Sequence, residues 1–134
     1  MYKTVTQSEF LFTWIASAHH IGPKLLLWKK EGDSFVIQLE SYSKIKNYNM
    51  IQNNACELVR QLHQLGIFHG DINQHQFVTN QYGELKLIHF KLACWIDEIK
   101  TDQFQTYHEL ARNANHLIEL EVQETSWQCG IFKK

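Results

Sequence analysis

The sequence predicts a single domain of the α+β class. Segments with helical spacing of apolar residues alternate along the chain with two pairs of apolar runs of strand length. The chain has 134 residues, of which 44% are hydrophobic, so it can bury one modest core. It contains one proline and no repeat or low-complexity stretch. We therefore expect neither a linker nor a second domain within residues 1–134.

The first helix is predicted to begin after Thr6. The tetrapeptide Thr-Gln-Ser-Glu that starts there is a capping box, in which the Thr6 hydroxyl and the Glu9 carboxylate satisfy backbone amides at the helix start. Apolar residues then recur at helical spacing through His19, and the Gly-Pro pair at 22–23 is expected to end the helix.

Two antiparallel hairpins are predicted from strand-length apolar runs on either side of turn-forming residues. The first joins residues 24–28 to residues 34–40 through the sequence EGDS. The second joins residues 77–79 to residues 85–88 through the sequence QYGE.

Two further helices are predicted from the same apolar spacing. One runs from Tyr48 to Leu65 and is expected to stop at Gly66. The other runs from Asp102 to about Glu121. The pattern of residues 122–134 is ambiguous.

Charge and composition exclude several function classes. The net charge is −1 at pH 7, so the chain lacks the basic field that attracts nucleic acid or an acidic membrane surface, and no apolar run approaches membrane-spanning length. Cys56, Cys94 and Cys129 are odd in number and widely spaced, which favours free thiols in a reducing compartment. We expect a soluble cytoplasmic protein, in its own cell or in a host cell into which it is injected.

The most informative segments are two motifs in the second half of the chain. Residues 62–71 read LHQLGIFHGD and continue as INQHQ, and residues 87–91 read LIHFK. Together they resemble the catalytic loop and the metal-binding loop of the protein-kinase-like fold. The His-Gly-Asp form is similar to that of small atypical kinases, secreted bacterial effector kinases and aminoglycoside-type phosphotransferases.

The resemblance covers roughly residues 6–120, from the family's helix C to its helix F. It implies a mainly helical C-lobe that carries a remnant of the small lobe, namely helix C, one hairpin and a hinge near residues 38–41. The family's Gly-rich loop has no counterpart, because the first glycine is Gly22. Glu9 loosely matches the helix C glutamate, but Lys3 is not expected to serve as its strand-borne lysine.

The resemblance also assigns roles to individual residues. Asp71 stands where the family's catalytic Asp accepts the proton of the substrate hydroxyl, and His69 stands at the residue that anchors the loop. Gln76 replaces an Asn that binds metal, and His89 replaces an Asp that binds metal and nucleotide. Asp102 matches an Asp that holds the loop backbone, although it is equally well explained as a helix N-cap.

These replacements predict a damaged metal site. The amide oxygen of Gln76 lies one methylene further out than that of Asn, which near-octahedral Mg²⁺ tolerates poorly. The imidazole of His89 is a poor Mg²⁺ ligand, and Lys91 removes a glycine that lets the loop turn. We therefore expect no cofactor, with ATP and Mg²⁺ or Mn²⁺ as the alternative.

Other chemistries have weaker support. His69, His75 and His89 together with Asp71 match no zinc signature, and none of the cysteines lies in a recognisable nucleophile context. The four tryptophans are typical of core or interface anchors, and on a truncated lobe they predict an interaction surface.

The sequence thus favours a pseudokinase that acts by protein–protein binding over an enzyme. The expected partner is a kinase, a kinase substrate or a subunit of a shared complex, and a homo-oligomer is also compatible with this interpretation. An active minimal phosphotransferase that uses Gln76 and His89 as unusual metal ligands is the alternative. A third hypothesis is an unrelated α+β domain whose loop resembles that of a kinase by accident.

Overall fold

The computed structural model describes residues 2–99 and 114–129 and confirms the α+β class. Single turns of 3-10 helix lie at Tyr48–Ile51, Gln74–Gln76 and Ile96–Glu98. The strands and α-helices of the described residues are β1 (Tyr2–Thr6), α1 (Gln7–Ala18), β2 (Leu25–Glu31), β3 (Ser34–Leu39), β4 (Tyr42–Lys44), α2 (Gln52–Gln64), β5 (Ile67–Phe68), β6 (Phe77–Asn80), β7 (Leu85–Leu87), β8 (Cys94–Trp95) and α3 (Ala114–Cys129).

The first sheet has the strand order β1-β3-β2, and both strand pairs are antiparallel. The predicted hairpin is confirmed, although β2 begins one residue later than expected and continues to Glu31. Strand β1 was not predicted. It pairs with β3 along its whole length, with Val5 opposite Phe35, so the first sheet has three strands rather than the two of the predicted hairpin.

Helix α1 connects this sheet to the rest of the molecule, because its side chains enter two separate apolar clusters. Phe10 packs with Val5 and Phe35 under the first sheet. Phe12 and Ala16, further along the same helix, belong to the main core. The helix thereby holds the first sheet at a fixed position relative to the core.

The main core lies between α2 and two small sheets with strand orders β4-β6-β7 and β5-β8. The second predicted hairpin is confirmed as β6 and β7. The buried side chains at its centre include Val59 and Leu62 of α2 and Phe77 and Leu87 of the hairpin. Phe90, just beyond β7, is 2% exposed and joins this core.

The predicted second helix is confirmed with a different start, since a 3-10 turn at Tyr48–Ile51 precedes α2. Gly66 follows its end with φ of 84°, a left-handed conformation that favours glycine. The predicted end of the third helix at about Glu121 is wrong, because α3 continues to Cys129. Its predicted beginning at Asp102 lies outside the described residues.

Glu40 links the first sheet to the second at the position where the sequence predicts a hinge. Its Oε2 accepts a hydrogen bond from the Lys24 backbone amide at 2.6 Å. Its Oε1 accepts one from the Asn80 side chain at 3.2 Å. One carboxylate therefore ties the end of β3 to the end of β6.

No helix within residues 2–99 and 114–129 combines the length and the apolar character that a membrane span requires.

The core assignment predicts a clear difference between two leucines. We expect Leu62→Ala to lower the free energy of unfolding by about 2–5 kcal/mol, because the Leu62 side chain is fully buried and its removal leaves a cavity. Leu26 is 46% exposed, so Leu26→Ala serves as the matched control and should cost less than about 1 kcal/mol. Urea unfolding followed by tryptophan fluorescence measures both, and equal losses would contradict the assignment.

Candidate functional site

An open cleft of about 690 Å³ separates the first sheet from the loops that follow α2 and β7. The backbone on one side belongs to β1 and to the start of α1, and on the other side to the predicted catalytic and metal-binding loops. The side chains that could bind a ligand or transfer a proton in this cleft are those of Lys3, Glu9, Asp71, Gln76, His89 and Lys91. The structure thus brings Asp71, Gln76 and His89 to one cleft, as their assigned roles require.

The three predicted site residues form a hydrogen-bonded chain across the floor of the cleft. Gln76 Nε2 donates to Asp71 Oδ2 at 3.0 Å, and His89 Nδ1 donates to Gln76 Oε1 at 2.5 Å. The Asp71 carboxylate accepts hydrogen bonds only, so it fixes the amide orientation of Gln76 and thereby the proton on His89 Nδ1. Both polar atoms of the Gln76 amide are therefore hydrogen-bonded, Nε2 to Asp71 and Oε1 to His89.

Local structure holds Gln76 in place. It ends a 3-10 turn whose first residue follows Asn73, and the Asn73 side chain accepts a hydrogen bond from the His75 amide at 2.9 Å. The Gln76 carbonyl accepts from the Ile88 amide at 2.8 Å. Because the Gln76 side chain is only 5% exposed, it has little freedom to turn toward a ligand.

His89 has an unusual backbone, with φ of 63°. This left-handed conformation is uncommon for a residue other than glycine and indicates a local constraint. The neighbours Ile88 and Phe90 are both buried and fix the chain on either side of it. Partial burial lowers the pKa of His89, and the nearby charge of Lys3 lowers it further. The ring is therefore neutral at pH 7, and its unprotonated Nε2 is the atom able to act as a base or a metal ligand.

His69, to which the resemblance assigns the role of loop anchor, is hydrogen-bonded through both ring nitrogens. The side chain is fully buried, and its Nε2 donates to the Ile88 carbonyl at 2.9 Å. Its Nδ1 accepts from the Asp71 amide at 3.2 Å. The ring also contacts Phe90 edge to face, with centroids 5.2 Å apart. Burial lowers the pKa of His69 so that the neutral tautomer, which these two hydrogen bonds require, is maintained.

Glu121 on α3 is a site residue that the sequence analysis missed. Its carboxylate is fully buried and accepts hydrogen bonds from the His69 amide at 3.0 Å and the Gly70 amide at 2.8 Å. His63 Nε2 donates to the same carboxylate at 2.8 Å. The resemblance gave the task of holding the loop backbone to Asp102, which lies outside the described residues. No local motif marks Glu121, because its partners lie about 50 residues away along the chain.

The Lys3–Glu9 ion pair at the rim of the cleft corrects two expectations. The Thr6 hydroxyl accepts from the Glu9 amide at 3.2 Å, so half of the predicted capping box is present. The Glu9 carboxylate, however, does not complete the box and pairs with Lys3 Nζ at 2.9 Å. Lys3 was not expected to pair with Glu9 as the family's strand-borne lysine does. It pairs because β1, which was not predicted, places it next to the start of α1.

Metal binding by clustered histidines receives no support among residues 2–99 and 114–129. In that part of the chain no three His, Cys, Asp or Glu side chains are grouped so that they could hold a metal ion. His69 already uses both ring nitrogens on the backbone, and His75 lies exposed outside the hydrogen-bonded chain. Burial raises the pKa of the Cys94 thiol to about 11, which makes it a poor nucleophile.

The comparisons with known proteins leave the site to be interpreted from its own geometry. No protein-family model matches the chain. A search of curated proteins also gives no significant match.

The role of Glu121 predicts a large loss of stability in Glu121→Gln. The amide retains one acceptor oxygen but turns an NH₂ group toward buried donors, and hydrogen bonds to a charged acceptor are worth about 1.5–3 kcal/mol each. We expect the free energy of unfolding to fall by at least about 2 kcal/mol. Glu119→Gln makes the same change at an exposed position of α3 and should be nearly neutral. Similar losses in the two variants would contradict this role.

The buried neutral His69 predicts a pH dependence. Its pKa is lowered in the folded state, so below the unfolded pKa of about 6.5 the unfolded chain binds a proton that the folded chain does not. Stability is therefore fully present above that pH and falls as the pH is lowered, by up to about 1.4 kcal/mol per pH unit for this one proton. Urea unfolding at several pH values measures the slope.

Nuclear magnetic resonance tests whether His69 causes this dependence of the free energy of unfolding on pH. The ring signals of His69 should titrate with a midpoint below that of an ordinary histidine, which is about 6.5. Titration of His69 near its ordinary pKa, or stability that rises as the pH falls, would contradict the prediction.

Proposed function

We propose that this chain is a catalytically impaired kinase-like domain, a pseudokinase, that acts by binding another protein. The observation that carries the proposal is the hydrogen-bonded chain from Asp71 through Gln76 to His89. Gln76 and His89 stand at the two positions where the resemblance implies metal ligands. Their side chains form a hydrogen bond with each other. The side chains at the positions of the family's base and metal ligands are thus hydrogen-bonded to one another.

The chemistry of the chain supports catalytic impairment. Phosphoryl transfer depends mainly on positioning and on metal ions that neutralise phosphate charge. Mg²⁺ prefers charged oxygen ligands in near-octahedral geometry, whereas His89 contributes a neutral ring and Gln76 an amide oxygen that already accepts a hydrogen bond. Asp71 is then the one acidic oxygen ligand among these three residues. Neither Gln76 nor His89 then supplies a charged oxygen that could bridge Mg²⁺ to the nucleotide phosphates.

The surface supports a binding role. Trp14 and Trp28, which lie on α1 and β2, are 53% and 55% exposed. Large exposed aromatic side chains that cluster on a small domain are typical of protein interfaces, where Trp and Tyr dominate the binding energy. The kinase-like frame would then present this surface by mimicry of a kinase lobe. The expected partner is a kinase, a kinase substrate or a subunit of a shared complex.

An active minimal phosphotransferase is the second candidate, and the Lys3–Glu9 ion pair favours it. The pair stands where the resemblance implies a strand-borne lysine and the helix C glutamate, and its 2.9 Å contact holds a cation at the cleft. The neutral His89 has an unprotonated Nε2, and imidazole suits Mn²⁺ better than Mg²⁺. This candidate predicts nucleotide binding that depends on Mn²⁺.

Restoring the missing ligands tests the proposal. The wild-type chain is expected to transfer no phosphate from ATP with Mg²⁺ or Mn²⁺ and to show no metal-dependent thermal shift with ATP. The double variant Gln76→Asn/His89→Asp should acquire a Mg²⁺-dependent increase in Tm with ATP of about 3 °C or more, because a ligand that binds only the folded state stabilises it. His75→Asp makes the same His-to-Asp change at an exposed position next to Gln76 and should give no shift.

Two outcomes decide between the candidates. Phosphate transfer by the wild-type chain, or a Mn²⁺-dependent shift that His89→Ala abolishes, would establish the phosphotransferase and contradict the impairment.

For the binding role, the wild-type and Asp71→Ala chains are immobilised and exposed to a lysate of the source cell. Stoichiometric retention of the same protein by both chains is expected, and retention of none would contradict the role.

A further inference from the structure

An open apolar groove of about 620 Å³ lies between the first turns of α1 and strand β3. We call it the aromatic groove and define it by Phe10, Leu11, Trp14 and Phe35. The rings of Phe10 and Phe35 stack in parallel at its base, with centroids 4.2 Å apart and an interplanar angle of 1°. Both rings are less than a tenth exposed, so the base of the groove is rigid and already formed.

Two tryptophans flank this base and remain half exposed. Trp14 stacks on Phe10 with centroids 6.1 Å apart. Trp28, on β2, lies 5.2 Å from Phe10 and 6.0 Å from Phe35. The two tryptophans thus belong to one ordered cluster with Phe10 and Phe35, and about half of each indole faces outward. Rigid aromatic side chains in such clusters are the usual anchors of a protein interface.

The charges around the aromatic groove favour a negatively charged ligand. Lys30 lies opposite Phe35 in the register of β2 and β3, so both side chains are on the sheet face that carries Trp28. Lys30 is exposed and has no ion pair among those of the described residues. The first turn of α1, at Gln7 and Ser8, also borders the groove and adds the positive end of the helix dipole.

The acidic side chains of this region do not neutralise that charge within the groove. Glu9 pairs with Lys3 at the cleft, and Glu31 pairs with Lys29 on the opposite face of the sheet. Asp33 lies exposed at the tip of the hairpin, beyond the end of β2. The groove therefore combines an apolar base with one exposed cation, Lys30, beside Phe35, and with the start of α1.

We infer that the aromatic groove is the docking site of the protein partner and that it binds a partner segment in which acidic residues flank an aromatic side chain. The inference rests on the proposed binding function and adds the surface and the chemistry of the ligand. The aromatic side chain packs between Trp14 and Trp28 over the Phe10–Phe35 stack. The carboxylates face Lys30 and the start of α1, which disfavours a basic segment at the same place.

Selection from a phage-displayed library of random peptides on the full-length chain tests the inference. The enriched peptides should share an aromatic residue with acidic neighbours. A synthetic peptide of that consensus should bind Trp14→Ala at least about 10-fold more weakly than the wild-type chain. Lys30→Glu should weaken it about 5-fold or more and shift a repeated selection toward basic peptides. Both substituted side chains are exposed, so the variants are expected to fold.

Lys44→Glu is the matched control, since it makes the same charge change at an exposed position of β4, in the second sheet, and should leave binding unchanged. Enrichment of basic or purely aliphatic peptides, or equal losses in Lys30→Glu and Lys44→Glu, would overturn the inference.

Enriched peptides that lose binding in Lys3→Ala but not in Trp14→Ala would place docking at the cleft. That result would refute the groove and leave the binding function intact. No enriched peptide together with no retained partner protein would refute both.

Discussion

A single buried carboxylate, that of Glu121, receives hydrogen bonds from the backbone amides of His69 and Gly70 and from the ring of His63. Burial of an uncompensated carboxylate is costly, so the free energy of the fold favours the one loop conformation that supplies these donors. That conformation places Asp71 at the cleft and leaves the His69 ring to bind the Ile88 carbonyl. The two loops of the candidate site are therefore positioned together by one interaction with α3.

The charged and polar side chains of the resulting cleft form ion pairs and hydrogen bonds with one another. Lys3 pairs with Glu9 on one side, and the Gln76 amide joins Asp71 to His89 on the other. These contacts restrict the side chains on both sides of the cleft. The half-exposed side chains of Trp14 and Trp28 lie on α1 and β2, outside the residues that line the cleft.

Local patterns predicted the α+β class, the two hairpins and the second helix, because turn residues and apolar periodicity act over a few residues. The resemblance of two loop motifs to the protein-kinase-like family selected Asp71, Gln76 and His89, which the fold brings to one cleft. The contribution of Lys3 was not predictable in this way. It depends on β1, whose strand conformation arises from pairing with β3 about 30 residues away. The same holds for Glu121, whose partners lie in a different part of the chain.

The sequence by itself determined the order of the elements, the positions of the turns and the chemical identity of the altered loop residues, since these depend on side-chain type and short-range spacing. Only the tertiary structure decided which polar and charged groups bind each other by hydrogen bonds or ion pairs. The Gln76 amide bridges to Asp71 and His89, Glu9 turns from its helix cap to Lys3, and Glu121 holds the loop. A buried polar group takes whichever partner the packing places within reach, and packing is a property of the whole chain.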